Sequence, residues 1–203
     1  MSNIDNFYKD SNNIEEFSQR YIEYLKYTLS EIKTEEIANF TNILIKAQNQ
    51  GSKIYFIGNG GSASTASHFA TDLSIGTKSL DKPFKAISLT DNNGIITAIA
   101  NDYSFDDVFF QQIKINFEKN DVLVAISASG NSRNLIKAID YVNSIGGITV
   151  GISSFDGGEL INHAQHSLHV PTDIDEYGPA EDSHLIINHI VSNYLLRFIN
   201  TKI

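Results

Sequence analysis

Residues 53–72 read KIYFIGNGGSASTASHFATD, and this stretch decides the expected fold. A short β-rich run, Lys53–Gly58, leads into a glycine-rich turn, and helical sequence follows at once. The same order recurs in residues 121–136, DVLVAISASGNSRNLI, where an apolar run ends at Ser127 and helical sequence begins after Ser132. Apolar strand runs that alternate with helices are typical of a parallel sheet covered on both faces. The two stretches therefore predict an α/β fold.

The rest of the chain continues this alternation. Further strands are predicted at 86–89, 147–153 and 167–170, and helices at 63–75, 92–99, 105–117, 132–145, 158–164 and 179–200. We predict a three-layer α/β/α sandwich around a five-stranded, mostly parallel sheet. Residues 1–50 predict helices whose apolar stripes need a partner, either the core or another subunit. We accordingly divide the chain into N-terminal helices for oligomerisation, 1–50, and a ligand-binding domain, 51–203, within one compact unit.

Composition narrows the classes of function. The chain has 203 residues, a formal net charge of -9 and no cysteine, so disulfides, thiolate catalysis and cysteine-based zinc sites are excluded. An acidic chain without a Lys/Arg run is poorly suited to bind nucleic acid through its phosphates. No apolar run approaches the ~18 residues that span a bilayer. The first seventeen residues have neither a basic nor an apolar leader segment, so we expect a cytoplasmic protein without membrane attachment.

The two strand-to-helix turns predict an anion-binding site. In residues 58–62, GNGGS, glycines allow close approach of a ligand, and Asn59 and Ser62 offer hydrogen bonds at a helix start. The simpler alternative there is a tight turn with Ser62 as the helix N-cap. The turn lacks the Walker lysine and the dinucleotide spacing. In residues 127–132, SASGNS, three hydroxyls and successive backbone N–H groups form a phosphate cradle without positive charge. Both turns follow strands, so we expect them at one edge of the sheet.

A third group of candidates is ionisable. His68 and Asp72 are four residues apart on one helix and project from the same face. Glu181 and His189 are eight residues apart on the last helix, ~80° around its axis and two turns along it. These two converge on one site only with helix curvature or long side chains. A set of histidines and carboxylates suits zinc, manganese or iron(II), and equally suits metal-free acid–base catalysis.

The remaining candidates have simpler explanations. Asn101–Asp102 could contact a polyol or merely end a helix, and Asp156–Gly158 is most simply a turn that caps the next helix. The histidines at 163, 166 and 169 share no face, which favours surface or packing roles.

Four segments together resemble the sugar isomerase (SIS) domain family, and within it the phosphoheptose isomerases. They read GNGGSASTASHFATDL, TAIANDYSFDDVFFQQI, DVLVAISASGNSRNLIKAI and GISSFDGGEL, and the resemblance covers roughly residues 35–200. It implies the SIS fold and conversion of sedoheptulose 7-phosphate to D-glycero-D-manno-heptose 7-phosphate by aldose–ketose isomerisation. That product supplies heptose for lipopolysaccharide or other surface glycans. The resemblance also implies a homotetramer with active sites built from neighbouring subunits.

Residue roles follow from the resemblance by position. The implied zinc ligands are His68, Asp72, Glu181 and His189, with Asp72 as the base and His189 as the acid. The implied or expected substrate contacts are Asn59, Gly60, Gly61, Ser62, Asn101, Asp102, Ser127, Ala128, Ser129 and Ser132.

Several positions depart from the family pattern. Asp72 stands where glutamate is usual, and Glu181 stands where glutamine is usual, so Glu181 could itself be the base. Ala128 replaces a threonine of the phosphate loop, Gly178–Pro179 replaces an Asp-Arg pair, and Gly76 replaces a basic residue. These changes leave the exact sugar open.

Two other functions remain possible at this stage. Some SIS proteins bind the bacterial replication initiator without catalysis, and residues 91–102 and 129–133 are similar to that group. Binding-only relatives tend to lose the catalytic histidine, whereas this chain keeps His68, His184 and His189, which favours an enzyme. The third possibility is a regulatory domain that senses a sugar phosphate. Such domains usually carry a basic DNA-binding module, and this sequence has none.

Overall fold

The computed structural model describes residues 2–201, which form a five-stranded sheet covered by helices on both faces. The strand order is β2-β1-β3-β4-β5, and every neighbouring pair is parallel. The strands are β1 Lys53–Gly58, β2 Lys85–Ser88, β3 Val122–Ser127, β4 Ile148–Ser153 and β5 His166–His169. All five predicted strands are confirmed to within one residue.

The helices also follow the predicted order. They are α1 Asn3–Lys9, α2 Ile14–Ser30, α3 Thr34–Gln50, α4 Gly60–Thr71, α5 Asn93–Asp102, α6 Val108–Asn116, α7 Arg133–Ser144, α8 Leu160–His163 and α9 Tyr177–Asn200. A π-helical turn, Asp72–Gly76, continues α4, and a 3₁₀ turn, Phe105–Asp107, precedes α6. Helix α4 begins three residues earlier than expected, so Asn59 is its N-cap and the interpretation of Ser62 as the N-cap is wrong. No helix within residues 2–201 is long and apolar enough to cross a membrane.

The core consists of two apolar layers, one on each face of the sheet. Residues from α3, α4 and α9 pack on one face, where the rings of Phe56 and Phe69 stack with centroids 5.1 Å apart. Residues from α6, α7 and α8 pack on the other face, against the side chains of Tyr55, Ile57 and Leu123. Successive strand residues point to opposite faces, so a strand buried on both sides must be apolar throughout. The three-layer sandwich is therefore confirmed.

Helices α4 and α9 lie side by side and run in the same direction. Gly61 of α4 lies against Glu181 near the start of α9, and His68 lies beside His189 two turns further along both helices. This parallel register decides which of the candidate side chains can meet.

The N-terminal helices hold the segment that leads into α9. The Tyr24 hydroxyl donates to Glu176 Oε2 at 2.5 Å, and the backbone N–H of Asn3 donates to Glu176 Oε1 at 2.7 Å. The Tyr21 hydroxyl donates to Asp182 Oδ2 at 2.6 Å. Burial, together with the bond to Glu176, raises the pKa of Tyr24 to about 12. Part of the N-terminal segment thus packs on its own chain, and its role in oligomerisation stays a prediction.

Candidate functional site

The first loop, residues 58–62, brings the start of α4 close to the sheet. A Cβ at Gly58 would lie 2.5 Å from the carbonyl oxygen of Ser62, so only glycine fits this turn. The Asn59 amide exchanges two hydrogen bonds with the buried Asn134 of α7, at 3.0 and 2.9 Å. Asn59, an expected substrate contact, therefore also links the first loop to α7, the helix that follows the loop at residues 127–132. Gly60 has a left-handed φ of 53°.

The second loop, residues 127–132, uses two of its three hydroxyls internally. Ser127 Oγ accepts from the Gly130 N–H at 3.0 Å, and Ser129 Oγ accepts from the Asn131 N–H at 3.3 Å. Ser132 is the N-cap of α7, yet its side chain makes no capping hydrogen bond. Ala128 is buried, so any substrate contact there involves its backbone. The loop thus surrounds a helix N-terminus with hydroxyls and N–H groups, which is the arrangement that an anion needs.

Residues 156–158, predicted as a simple turn, pack against the backbone of this second loop. A Cβ at Gly130 would lie 2.1 Å from the Gly157 carbonyl oxygen, and one at Gly158 would lie 2.3 Å from the Ser129 carbonyl oxygen. Both glycines also have left-handed φ values, 66° and 55°. The Leu160 N–H donates to the Gly130 carbonyl at 2.9 Å. The loops at residues 127–132 and 156–158 therefore pack tightly against each other through their backbones. The sequence of residues 156–158 alone did not indicate this role.

His68, Asp72 and His189 form a compact cluster at the far end of the α4–α9 contact. One ligand atom from each lies within 4.8 Å of those of the others. The two histidine Nε2 atoms are 3.4 Å apart, and His68 Nε2 is 3.4 Å from Asp72 Oδ2. A cavity of about 270 Å³ adjoins the cluster and is lined by Asp72, Gly76, His189, Ser192, Asn193 and Leu196. Two imidazoles and a carboxylate at this spacing are a donor set that fits Zn²⁺ or a similar divalent cation.

Glu181, the fourth predicted metal ligand, lies elsewhere. Its carboxylate lies against Gly61, where an added Cβ would come within 2.2 Å of Oε2. Burial raises the pKa of the Glu181 carboxyl, and the charge of Asp182 adds to this effect. Along α9, Glu181 and His189 are about 12 Å apart. The structure thus brings together three of the four predicted ligands and places the fourth beside the first loop.

Asn101 and Asp102 end α5 and are exposed. The Asn101 amide donates to Asp102 Oδ1 at 2.9 Å, which is the only hydrogen bond that joins either side chain to another within residues 2–201. Helix α5 has no buried residue, although its sequence is rich in isoleucine and alanine. No hydrogen bond joins these two expected substrate contacts to either loop within the part of the chain that the structure describes.

Sequence reasoning missed several polar partners on α7 and α9. Asn134 pairs with Asn59, and the Asn188 amide donates to Asp72 Oδ2 at 3.0 Å. Asn134 is a buried asparagine on an otherwise apolar helix face, a signal that could have singled it out. Asn188 does not stand out in this way, because the buried face of α9 also carries serines and a histidine. His184 is buried against the Ser154 hydroxyl, 3.0 Å away, and His163 pairs with Asp140 at 2.7 Å away from the cluster.

Comparisons with known proteins agree on one family. The sequence model of the SIS domain matches residues 20–154. The chain is 41% identical over 150 residues to the phosphoheptose isomerase of Helicobacter pylori strain HPAG1, which covers 74% of this chain and 77% of that protein. It is 39% identical over 158 residues to the phosphoheptose isomerase of Geobacter metallireducens, covering 78% and 82%.

Two solved structures of phosphoheptose isomerases are similar to this chain over about nine tenths of its length. The phosphoheptose isomerase of Neisseria gonorrhoeae has a TM-score of 0.79 at 27% identity, covering 89% of this chain and 97% of that one. The phosphoheptose isomerase of Francisella tularensis has a TM-score of 0.81 at 23% identity, covering 91% and 99%, and supports the fold alone.

Proposed function

Because this chain belongs to the SIS domain family and to its phosphoheptose isomerases, we propose that it converts sedoheptulose 7-phosphate to D-glycero-D-manno-heptose 7-phosphate. The observation that carries the proposal is the cluster of His68, Asp72 and His189, because a protein that only binds a partner has no need of it. The curated relatives named above are phosphoheptose isomerases, so the comparisons do not support the replication-initiator alternative. A cytoplasmic location and a product used for surface heptose belong to the same proposal and rest on the family resemblance.

The reaction needs a phosphate site and two proton-transferring groups. The second loop holds the substrate phosphate with the hydroxyls of Ser129 and Ser132 and with backbone N–H groups, without a positive side chain. A carboxylate, Asp72 or Glu181, removes the proton from C1, and the electron pair of that bond forms the C1–C2 double bond of an enediol while O2 gains a proton. Return of a proton to C2 and loss of the O1 proton then give the aldose. His189 exchanges the oxygen-bound protons.

A divalent cation, which we propose to be Zn²⁺, fits the donors of the cluster. His68, Asp72 and His189 of one chain would hold it, and Glu181 of a neighbouring subunit would be the fourth ligand. When bound, it supplies Lewis-acid polarisation of the substrate carbonyl. Chelator-treated protein should rebind one Zn²⁺ per chain by calorimetry, and His68→Ala should abolish that binding.

The proposed assembly is a homotetramer in which neighbouring subunits share each active site. Two observations support it. Helix α5 has no buried residue and leaves Ile95 42% exposed, although Ile96, Ile99 and Ala100 pack against the core. Glu181 and His189 also lie about two helical turns apart, too far to hold one ion from a single α9. A second subunit would cover the exposed side of α5. It could also supply the Glu181 carboxylate that the cluster of His68, Asp72 and His189 lacks within one chain.

Mixing inactive subunits tests the shared site. We would co-express Glu181→Ala and His189→Ala chains with different tags and isolate the mixed oligomers. If each site combines residues from two chains, some sites in the mixture are intact and turnover returns. If the mixed oligomers are as inactive as either parent, each site lies within one chain and the shared arrangement is wrong.

Turnover itself is tested by NMR in D₂O with sedoheptulose 7-phosphate, with and without added Zn²⁺. We expect heptose 7-phosphate that carries deuterium at C2, because the enediol is reprotonated from solvent. Absence of turnover under both conditions, in protein shown to be folded, would contradict the proposed reaction.

A further inference from the structure

The carboxylate of Asp72 is held by two side chains of α9. The Asn188 amide donates to Asp72 Oδ2 at 3.0 Å, and the Ser192 hydroxyl lies 3.4 Å from the same oxygen. Asn188 and Ser192 are four residues apart, so they share one face of α9. Asp72 itself stands where α4 ends and the π-helical turn begins. Such turns are rare and often occur at functional sites, because they redirect a side chain out of the regular helical register.

Asn188 is a costly residue in its position. It is fully buried beside the core residues Ile187 and Val191, and its Oδ1 atom has no hydrogen-bond partner. A buried polar atom without a partner costs about 1–3 kcal/mol. Leucine has a similar branched shape and would remove that cost. Stability therefore does not explain why an asparagine stands here. The hydrogen bond from its side-chain amide to Asp72 does explain it.

We propose that Asn188, assisted by Ser192, is a positioning residue that fixes the Asp72 carboxylate toward His68 and His189. The inference rests on the proposed role of Asp72 as metal ligand or base. Oδ2, the oxygen held by α9, is also the one that lies 3.4 Å from His68 Nε2. The other oxygen, Oδ1, faces Gly76, where an added Cβ would lie 3.7 Å away.

The short side chain of Asp72 makes this anchoring important. Aspartate has one methylene fewer than glutamate, so rotation of its carboxylate moves the oxygens away from the histidines with little reach to compensate. Without the Asn188 bond, the carboxylate of Asp72, whose side chain is 24% exposed, is free to turn toward water. Partners that orient a metal ligand typically contribute 10–100-fold to affinity or activity. We expect an effect of that size here.

The test is Asn188→Leu, which keeps the shape of the side chain and removes its donor. We expect a melting temperature equal to or above that of the wild type, because the unpaired Oδ1 is gone. We expect kcat for sedoheptulose 7-phosphate to fall about 10–100-fold, with KM within threefold of wild type. The affinity of the metal-free protein for Co²⁺ and the visible absorption of the Co²⁺ complex should also change, which is a readout independent of turnover.

The matched control is Ser183→Ala. Ser183 is also fully buried on α9, but its hydroxyl donates only to the Pro179 carbonyl within the same helix, at 2.7 Å. We expect its kcat and Co²⁺ spectrum to match the wild type. If Asn188→Leu fails to fold, Ser192→Ala takes its place, with a loss of kcat smaller than that expected for Asn188→Leu, because its contact to Asp72 is longer, and the same direction of change in Co²⁺ affinity.

A double-mutant cycle separates positioning from general structural effects. In an Asp72→Ala background, Asn188→Leu should change neither the residual turnover nor the Co²⁺ affinity further, because its target is absent. Additive losses would overturn the proposal, as would a fall in kcat that Ser183→Ala reproduces. If the wild type does not turn over the sugar, the proposed function fails, yet the Co²⁺ measurements still decide whether Asn188 orients Asp72.

Discussion

Substitution of Gly61 by alanine should displace the Glu181 carboxylate without lowering the stability of the fold. The added Cβ would lie 2.2 Å from Oε2 and 2.4 Å from Oε1 of Glu181, so the carboxylate must retreat by about 1 Å to reach an ordinary contact of 3.4 Å. The atoms in the way are the end of a flexible side chain, which can move without displacing backbone. Helix α4 also gains from the change, because alanine is more favourable than glycine in a helix by up to about 1 kcal/mol.

We therefore expect Gly61→Ala to melt at or up to about 4 °C above the wild type. Turnover should fall, because a displacement of about 1 Å in a reacting group costs up to about 100-fold. The assays are thermal unfolding followed by circular dichroism, and initial rates with sedoheptulose 7-phosphate. Gly58→Ala provides the contrast, because its Cβ meets the Ser62 backbone at 2.5 Å and should lower stability by about 1–3 kcal/mol.

The decisive comparison is Gly61→Ala on a Glu181→Ala background. With the carboxylate removed, the new methyl group has space, so we expect no further loss of turnover. If Gly61→Ala alone keeps turnover within threefold of the wild type, the observed position of Glu181 has no bearing on catalysis. If it lowers turnover equally in both backgrounds, Gly61 acts through its own backbone and not through Glu181.

Three further outcomes are expected. His189→Ala should leave folding intact, since the side chain is exposed, and lower turnover about 100-fold or more in steady-state assays; a loss under threefold would remove it as the acid. Ser129→Ala should raise KM more than it lowers kcat, and an unchanged KM would place the phosphate elsewhere. Burial lowers the pKa of His184 to about 4, below its ordinary 6.5. The unfolded chain thus binds this proton first as the pH falls below 6.5, and urea titrations should show stability falling by up to about 1.4 kcal/mol per pH unit down to about pH 4, a slope that His184→Phe makes shallower.

The central strands β1, β3 and β4 could be predicted closely because their burial on both faces requires nearly uninterrupted apolar runs. The start of α4 was harder to predict, since Gly60 and Gly61 have poor helix propensity, yet the helix begins there and its first turn lies close against Gly58. The π-helical turn at Asp72–Gly76 could not be predicted, because no pattern of apolar residues distinguishes it from an α-helical turn.

The candidate site was predictable only where its residues share one element. His68 and Asp72 meet because four residues along a helix bring side chains to one face. That His189 joins them, while Glu181 lies beside Gly61, depends on the register of α4 against α9. This register is set by core packing between distant parts of the chain, which spacing along one helix does not reveal.

The interlocked glycines of residues 127–132 and 156–158, the proposed phosphate site, have a consequence for binding entropy. Gly130 and Gly158 each lie so close to backbone atoms of the facing loop that a Cβ would not fit. Contact this close restricts the conformations of the loop before a phosphate arrives, so binding loses less conformational freedom there. The same rigidity makes the loop difficult to remodel, since any side chain at either glycine would require both loops to change together. New sugar specificity in this fold should therefore arise by changes outside these two loops, while the loops themselves stay as they are.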